Sequence, residues 1–166
     1  MFKIGERVVH PHHGAGIVVD IEELKCFGSD KQYYSIELLN DSGTLVIAVE
    51  NAEKERIRRP IPQIKLGQVW RVLRAAPKAL PSDHNERYEL VKGKLCGGDV
   101  LQVAEAVRDM SWKDQHVRSL TIEGKRLYDK GMMLLAGEVA VVQNSDFGVA
   151  EAKISRVLRE GLASAL

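Results

Sequence analysis

The hydrophobic period of this chain changes once, at "RRPIPQ" (58–63), and that change rules out one uniform sheet or one uniform bundle. From Lys3 to about Arg58, short apolar runs, "RVVH", "AGIVVDIEEL", "YYSIEL" and "TLVIAVE", alternate with the turn signals "PHHG", "FGSD" and "NDSG". This spacing predicts a small antiparallel β-barrel. Ile17, Val19 and Ile21 alternate with Val18, Asp20 and Glu22, the period of a strand with one buried face and one wet face. In "NDSG", Gly43 can take the positive φ that a hairpin turn needs.

Beyond Pro60 and Pro62 the period is helical. Proline restricts itself and the residue before it, so the linker is expected there, with domains over 1–60 and 64–166. A first helix is expected over Ile64–Leu73. Ser82 or Asp83 can cap a second through "NERYELVKGKL", which Gly97 and Gly98 end. Asp99 can cap a third, in which Val100, Val103, Ala104 and Val107 share one face. Thr121 can cap a fourth running to about Val142, and Ser145 or Asp146 a fifth with Ala150, Ile154, Val157 and Leu158 on its apolar stripe. Each stripe must be buried against another, so about five helices form a compact bundle. The expected fold class is multidomain, β then α.

At 166 residues, 45% apolar and 28% charged, the chain has the composition of a globular protein able to bury a core. Its apolar runs are too short for a membrane span, and "MFKIGERVV" lacks the apolar stretch of a signal peptide, so a cytoplasmic protein with no membrane partner is expected. Cys26 and Cys96 form no CxxC pair and read as reduced thiols. The net charge of +1 excludes nucleic-acid binding by bulk electrostatics. Residues 1–70 carry 9 Lys+Arg against 10 Asp+Glu, and residues 71–166 carry 15 against 13. Any contact with DNA must come from a local arrangement.

"VVHPHHGAG" (8–16) places three histidines within four positions. On a strand, His10 and His12 would share a side and His13 would point away. A metal would need a fourth ligand that the spacing does not supply, so a polar turn bent by Pro11 and Gly14 is the favoured reading, and no cofactor is expected. No serine or cysteine stands in a nucleophile motif, and "GAG" and "GDV" fall short of a phosphate loop, so an enzyme is not expected. Trp70 and Trp112 lie among helical apolar residues and read as core or interface aromatics. The pairs Arg58-Arg59 and Lys125-Arg126 can meet phosphates, though such pairs are usually solvated surface.

Taken in order, "FKIGERVVHPHHGAGIVVDIEE", Tyr33-Tyr34, "VIAVENAEKERIR", "VLRAAP", "ERYELVKGKLCGGDVLQVAEAVRDM", "GKRL" and "LLAGEVA" resemble the CarD/CdnL family of bacterial transcription regulators over nearly the whole chain. The resemblance implies a Tudor-like barrel, shared with transcription-repair coupling factor, that binds the β subunit of RNA polymerase. It also implies a helical domain that touches promoter DNA at the upstream edge of the melted bubble and stabilises the open complex. A monomer associated with the nucleoid through polymerase is expected. "HPHHG" is the family's strand-turn signature and carries no metal there.

By the family's pattern the polymerase-facing residues are Leu24, Lys25, Leu45, Val46, Ile47 and Ala48. Relatives carry arginines where Leu24 and Val46 stand, so a charged contact has become apolar. The DNA-facing residues are His84, Arg87, Lys125 and Arg126. Relatives present a tryptophan before a basic segment, whereas this chain reads "SDHNERY", with His84 at the tryptophan position and Glu86 and Glu89 replacing basic residues. A histidine stacks with less area than an indole, so the resemblance implies a weakened wedge, or an adaptor whose helical half no longer binds DNA.

Overall fold

The computed structural model describes residues 1–26 and 29–165. The period-two half forms β1 (Arg7–His10), β2 (Gly14–Cys26), β3 (Ser29–Leu38) and β4 (Thr44–Ala48), antiparallel and in that spatial order. The sheet is open. Among the described residues β4 has no strand on its outer edge, and beyond β1 there is a single bridge, in which Val9 N donates to Arg58 O at 2.8 Å and Arg58 N to Val9 O at 3.1 Å. The hairpin expected at "NDSG" forms, with Gly43 at φ +108° and Leu38 N donating to Gly43 O at 3.0 Å. The turn expected at "FGSD" crosses residues 27 and 28, which together with the Cys26 thiol lie outside the described residues.

The alternation read in β2 is inverted as far as Val18 and restored at Ile21 by a bulge. Val18 is fully buried, whereas Val19 is 43% exposed, because the register with β3 shifts between Val18 and Asp20. Such a bulge adds one residue to one strand and moves everything after it to the other face. Val18 and Ile21 therefore both join Val8, Tyr34, Ile36 and Ile47 in the sheet core. The Tyr34 hydroxyl accepts from Phe2 N at 2.9 Å, which satisfies the one polar atom of that buried ring.

The helical half contains α1 (Leu66–Arg74), α2 (His84–Cys96), α3 (Val100–Trp112), α4 (Ile122–Gln143) and α5 (Phe147–Ser164). Asp83, Asp99 and Thr121 cap as expected, accepting from Glu86 N, Leu101 N and Gly124 N. The first helix starts later than expected, after a 3₁₀ turn over Gln63–Lys65. After Trp112 the chain makes a π turn over Lys113–Val117, which no sequence signal foretells. Among the described residues no helix is long and apolar enough to cross a membrane.

Helix α4 is buried almost all round from Gly131 to Val141, because it packs on two layers. Leu135 and Val139 enter the bundle core, while Val141 packs with Val9 and Ala15 of the sheet. A Cβ on Gly137 would stand 3.4 Å from Ala15 N, so this glycine sets how closely α4 approaches β2. An ion pair closes the joint. Arg58 Nη1 and Nη2 donate to Glu138 Oε1 and Oε2 at 2.7 and 2.8 Å, Arg58 Nε to Gly98 O at 3.0 Å, and Ile61 N to Glu138 Oε1 at 3.0 Å. Arg7 Nη1 adds a bond of 2.9 Å to Val141 O.

The histidine cluster has a structural use. β1 ends at His10, and the turn that follows curls back, so that the His12 and His13 rings lie 5.9 and 4.6 Å from His10; His13 therefore does not point away. His12 N and His13 N donate to His10 Nδ1 at 3.0 and 3.2 Å, which fixes the proton of the neutral ring on Nε2. His10 thus closes its own turn as an acceptor. Among the described residues no three His, Cys, Asp or Glu side chains are arranged to hold a metal ion.

Candidate nucleic-acid interface

Three elements meet at one end of the bundle: the first turn of α2, the first turn of α4, and the irregular segment 75–83 that leads into α2. Asp83 caps α2 and so exposes the next residue, His84, whose side chain is 49% exposed. Arg87 is half-buried, and its Nη1 donates to Pro81 O and Ser82 O at 3.1 Å each, which holds the segment against the helix. Arg87 Nη2 faces His84 Nδ1 at 3.4 Å. A guanidinium only donates, so Nδ1 accepts and Nε2–H donates to Glu123 Oε2 at 3.0 Å. The imidazole is held edge-on between a cation and a carboxylate. Glu86 and Glu89 are exposed nearby on α2, and Lys125 and Arg126 are exposed on α4.

The second surface is the outer face of the sheet. Leu24 pairs across to Lys31, and Val46 to Ser35, which pairs in turn with Asp20, so Leu24 and Val46 share the face opposite the core. They are 38% and 54% exposed; Lys25, also exposed, is the next residue of β2 and alternates to the other face. Leu45 and Ile47 point the other way, into the sheet core, and Ala48 is buried. From 45, 47 and 48 a partner can meet only backbone, along the unpaired edge of β4.

Comparison with known proteins places this architecture. The CarD-like/TRCF RID domain matches residues 2–61 and the CarD C-terminal domain matches residues 68–155, more than half the chain. The chain belongs to the CarD family. A relative in Bacillus subtilis (strain 168), named "Putative transcription factor YdeB", is 27% identical over 154 residues, covering 93% of this chain and 97% of that protein. CarD proteins are transcription regulators, and the family domain over the sheet half implies interaction with RNA polymerase.

Within this CarD chain the structure brings His84 and Arg87 together and leaves Lys125 and Arg126 free on the neighbouring helix, where Glu123, not Lys125, reaches His84. Of the other basic pair, Arg58 is locked on Glu138, whereas Arg59, 68% exposed, pairs with Glu6 through Nε and lies 5.6 Å over the Phe2 ring at the surface. Trp70 packs under Lys153 Nζ at 4.6 Å, in keeping with an interface role. Sequence reasoning missed Lys113 and Arg118, which the π turn brings beside Arg87, and it missed Glu138. A signal for Glu138 existed: it is the one carboxylate inside "LLAGEVAVV".

Proposed function

We propose that this CarD-family chain binds the β subunit of bacterial RNA polymerase through its sheet and modulates the stability of the promoter open complex through its helical half, at the upstream edge of the bubble. The sheet, extended by the Val9–Arg58 bridge, serves as the Tudor-like module, and residues 1–60 and 64–166 are the two working units. β4 offers an unpaired edge for strand addition, with Val46 on it as an apolar anchor and Leu24 and Lys25 farther off on β2. His84, Arg87, Lys125 and Arg126 are the DNA contacts.

The observation that carries the reading is the exposed ring of His84 on the capped first turn of α2, oriented by Arg87 at the position where the family presents its wedge. The contacts with Arg87 and Glu123 are made at the ring nitrogens, in the plane of the imidazole, and leave a face for a base; the contact is weaker than that of an indole by area.

The test is open-complex lifetime with polymerase and its housekeeping sigma factor. The native protein is expected to lengthen it, and His84→Trp to lengthen it further by about tenfold, since base stacking contributes roughly 1–3 kcal/mol. Val46→Asp is expected to weaken binding to the β subunit by about tenfold while leaving the melting temperature unchanged, because the side chain lies outside the core. A second reading, a protein adaptor whose helical half has left DNA, is favoured by Glu86, Glu89 and Glu123 around His84. It prevails if the protein binds the β subunit but neither the native chain nor His84→Trp alters the lifetime.

A further inference from the structure

On the far side of Arg87 from His84, the 76–82 segment and the end of α3 enclose a groove of about 580 Å³, within the size range of sites that take a small organic group. Its walls are mainly apolar, with Leu80, Val117 and the indole of Trp112. Trp112 is half-buried and stacks on His116 with ring centroids 4.1 Å apart at 30°. His116 is exposed and does not line the groove, so it backs the indole.

The charges around the groove are one-sided. Lys78, Arg87, Lys113 and Arg118 line it, and among the described residues the only carboxylate lining it, Asp109, is already spent on Arg108 Nε at 2.8 Å and Lys78 N at 2.9 Å. Burial first, and then the nearby Arg87 and Arg118 cations, hold the Lys113 ammonium below its usual pKa, with Asp114 offsetting them only in part. An anion seated there would relieve that crowding. The π turn creates the arrangement. Arg118 N donates to Lys113 O at 2.9 Å, an i to i+5 closure that ends α3 with Trp112, Lys113 and His116 on one widened turn.

We propose that this groove takes one unpaired nucleotide of single-stranded DNA, its base lying on Trp112 and its phosphate on Lys113 and Arg118. A flat apolar ring with an anion attached fits an indole ringed by cations, and among the described residues of the groove no carboxylate is left to recruit a cationic partner. The inference rests on the DNA reading above but assigns the aromatic contact to a different residue. In this chain Trp112 supplies the stacking surface that His84 lacks.

The test is fluorescence anisotropy of a labelled single-stranded oligonucleotide, and of the same strand carrying abasic sites, against the full chain at low salt. The native protein is expected to prefer the intact strand, and Trp112→Ala to lose about tenfold on it while binding the abasic strand as before. Arg118→Ser, a change at an exposed residue that leaves packing intact, is expected to weaken both strands and to flatten the salt dependence. The inference is overturned if the native protein shows no saturable binding, if it binds both strands alike, if Trp112→Ala changes nothing, or if an acidic peptide displaces the oligonucleotide as well as unlabelled DNA does. Open-complex lifetimes with the same proteins separate the two claims. A lifetime effect untouched by Trp112→Ala removes the groove and keeps the promoter reading, whereas discrimination between strands without any lifetime effect does the reverse.

Discussion

Glu138→Ala is expected to lower the unfolding free energy by about 3 kcal/mol, read as a fall in the urea midpoint at unchanged slope. The carboxylate is 3% exposed and accepts three bonds, two from Arg58 and one from Ile61 N. Removing it leaves the charge of Arg58, its Nη2 and the Ile61 amide without a partner at the joint between sheet and bundle, while Nε keeps Gly98 O and Nη1 keeps Arg59 O. Breaking a buried pair in this way costs about 3–5 kcal/mol, and the lower end applies because the Arg58 side chain is 33% exposed and can turn toward water. Glu138→Gln, which still offers an acceptor to Ile61 N, is expected to lose about half as much. If the two variants lose equal amounts, the charge pairing with Arg58, and not the acceptor offered to Ile61 N, carries the effect at this joint.

Acid is expected to remove a further contribution, of about 3 kcal/mol, from a single imidazole. Burial first, and then the nearby His13 and His12, push the pKa of His10 down to about 4, with Glu55 opposing them only weakly from 3.7 Å. The folded state therefore binds fewer protons than the unfolded chain between its usual value near 6.5 and about 4. The contribution is fully present above pH 6.5 and is lost as the pH falls through that window to about 4. The cause is visible in the turn, since protonating Nδ1 removes the acceptor used by His12 N and His13 N. His10→Asn keeps an acceptor near that place without a titrating ring. The measurement is urea stability at pH 7 and pH 4 for both proteins. A native chain that loses no more than His10→Asn over this range would contradict the assignment.

Local chemistry was legible in the sequence and distant pairing was not. Asp83, Asp99 and Thr121 cap helices because a short polar side chain before an apolar stripe needs only its own next turn to act. Gly43 turns its hairpin for the same reason. The phase of β2 was misread because a bulge is decided by the partner strand, and the run Ile17 to Ile21 looks alike in either phase. The fate of Arg58 depended on a carboxylate 80 positions away, so one half of a pair that reads as phosphate ligand or solvated surface became an internal clamp, while Arg59 stays at the surface. Of the candidate DNA surface, His84 and Arg87 could be picked out by resemblance. Lys113, Arg118 and Trp112 could not, because the π turn that gathers them has no motif.

The double burial of α4 bears on how this protein can vary. An exchange of its first 60 residues with those of a relative brings a new surface against Gly137 and Val141 and a new residue opposite Glu138. A graft therefore needs position 58 and the 9–15 loop to travel with their matching helix. Chimeras cut at the proline linker are expected to be less stable than either parent unless the residues at 9, 15 and 58 suit the α4 they meet, so the two halves vary as a matched set.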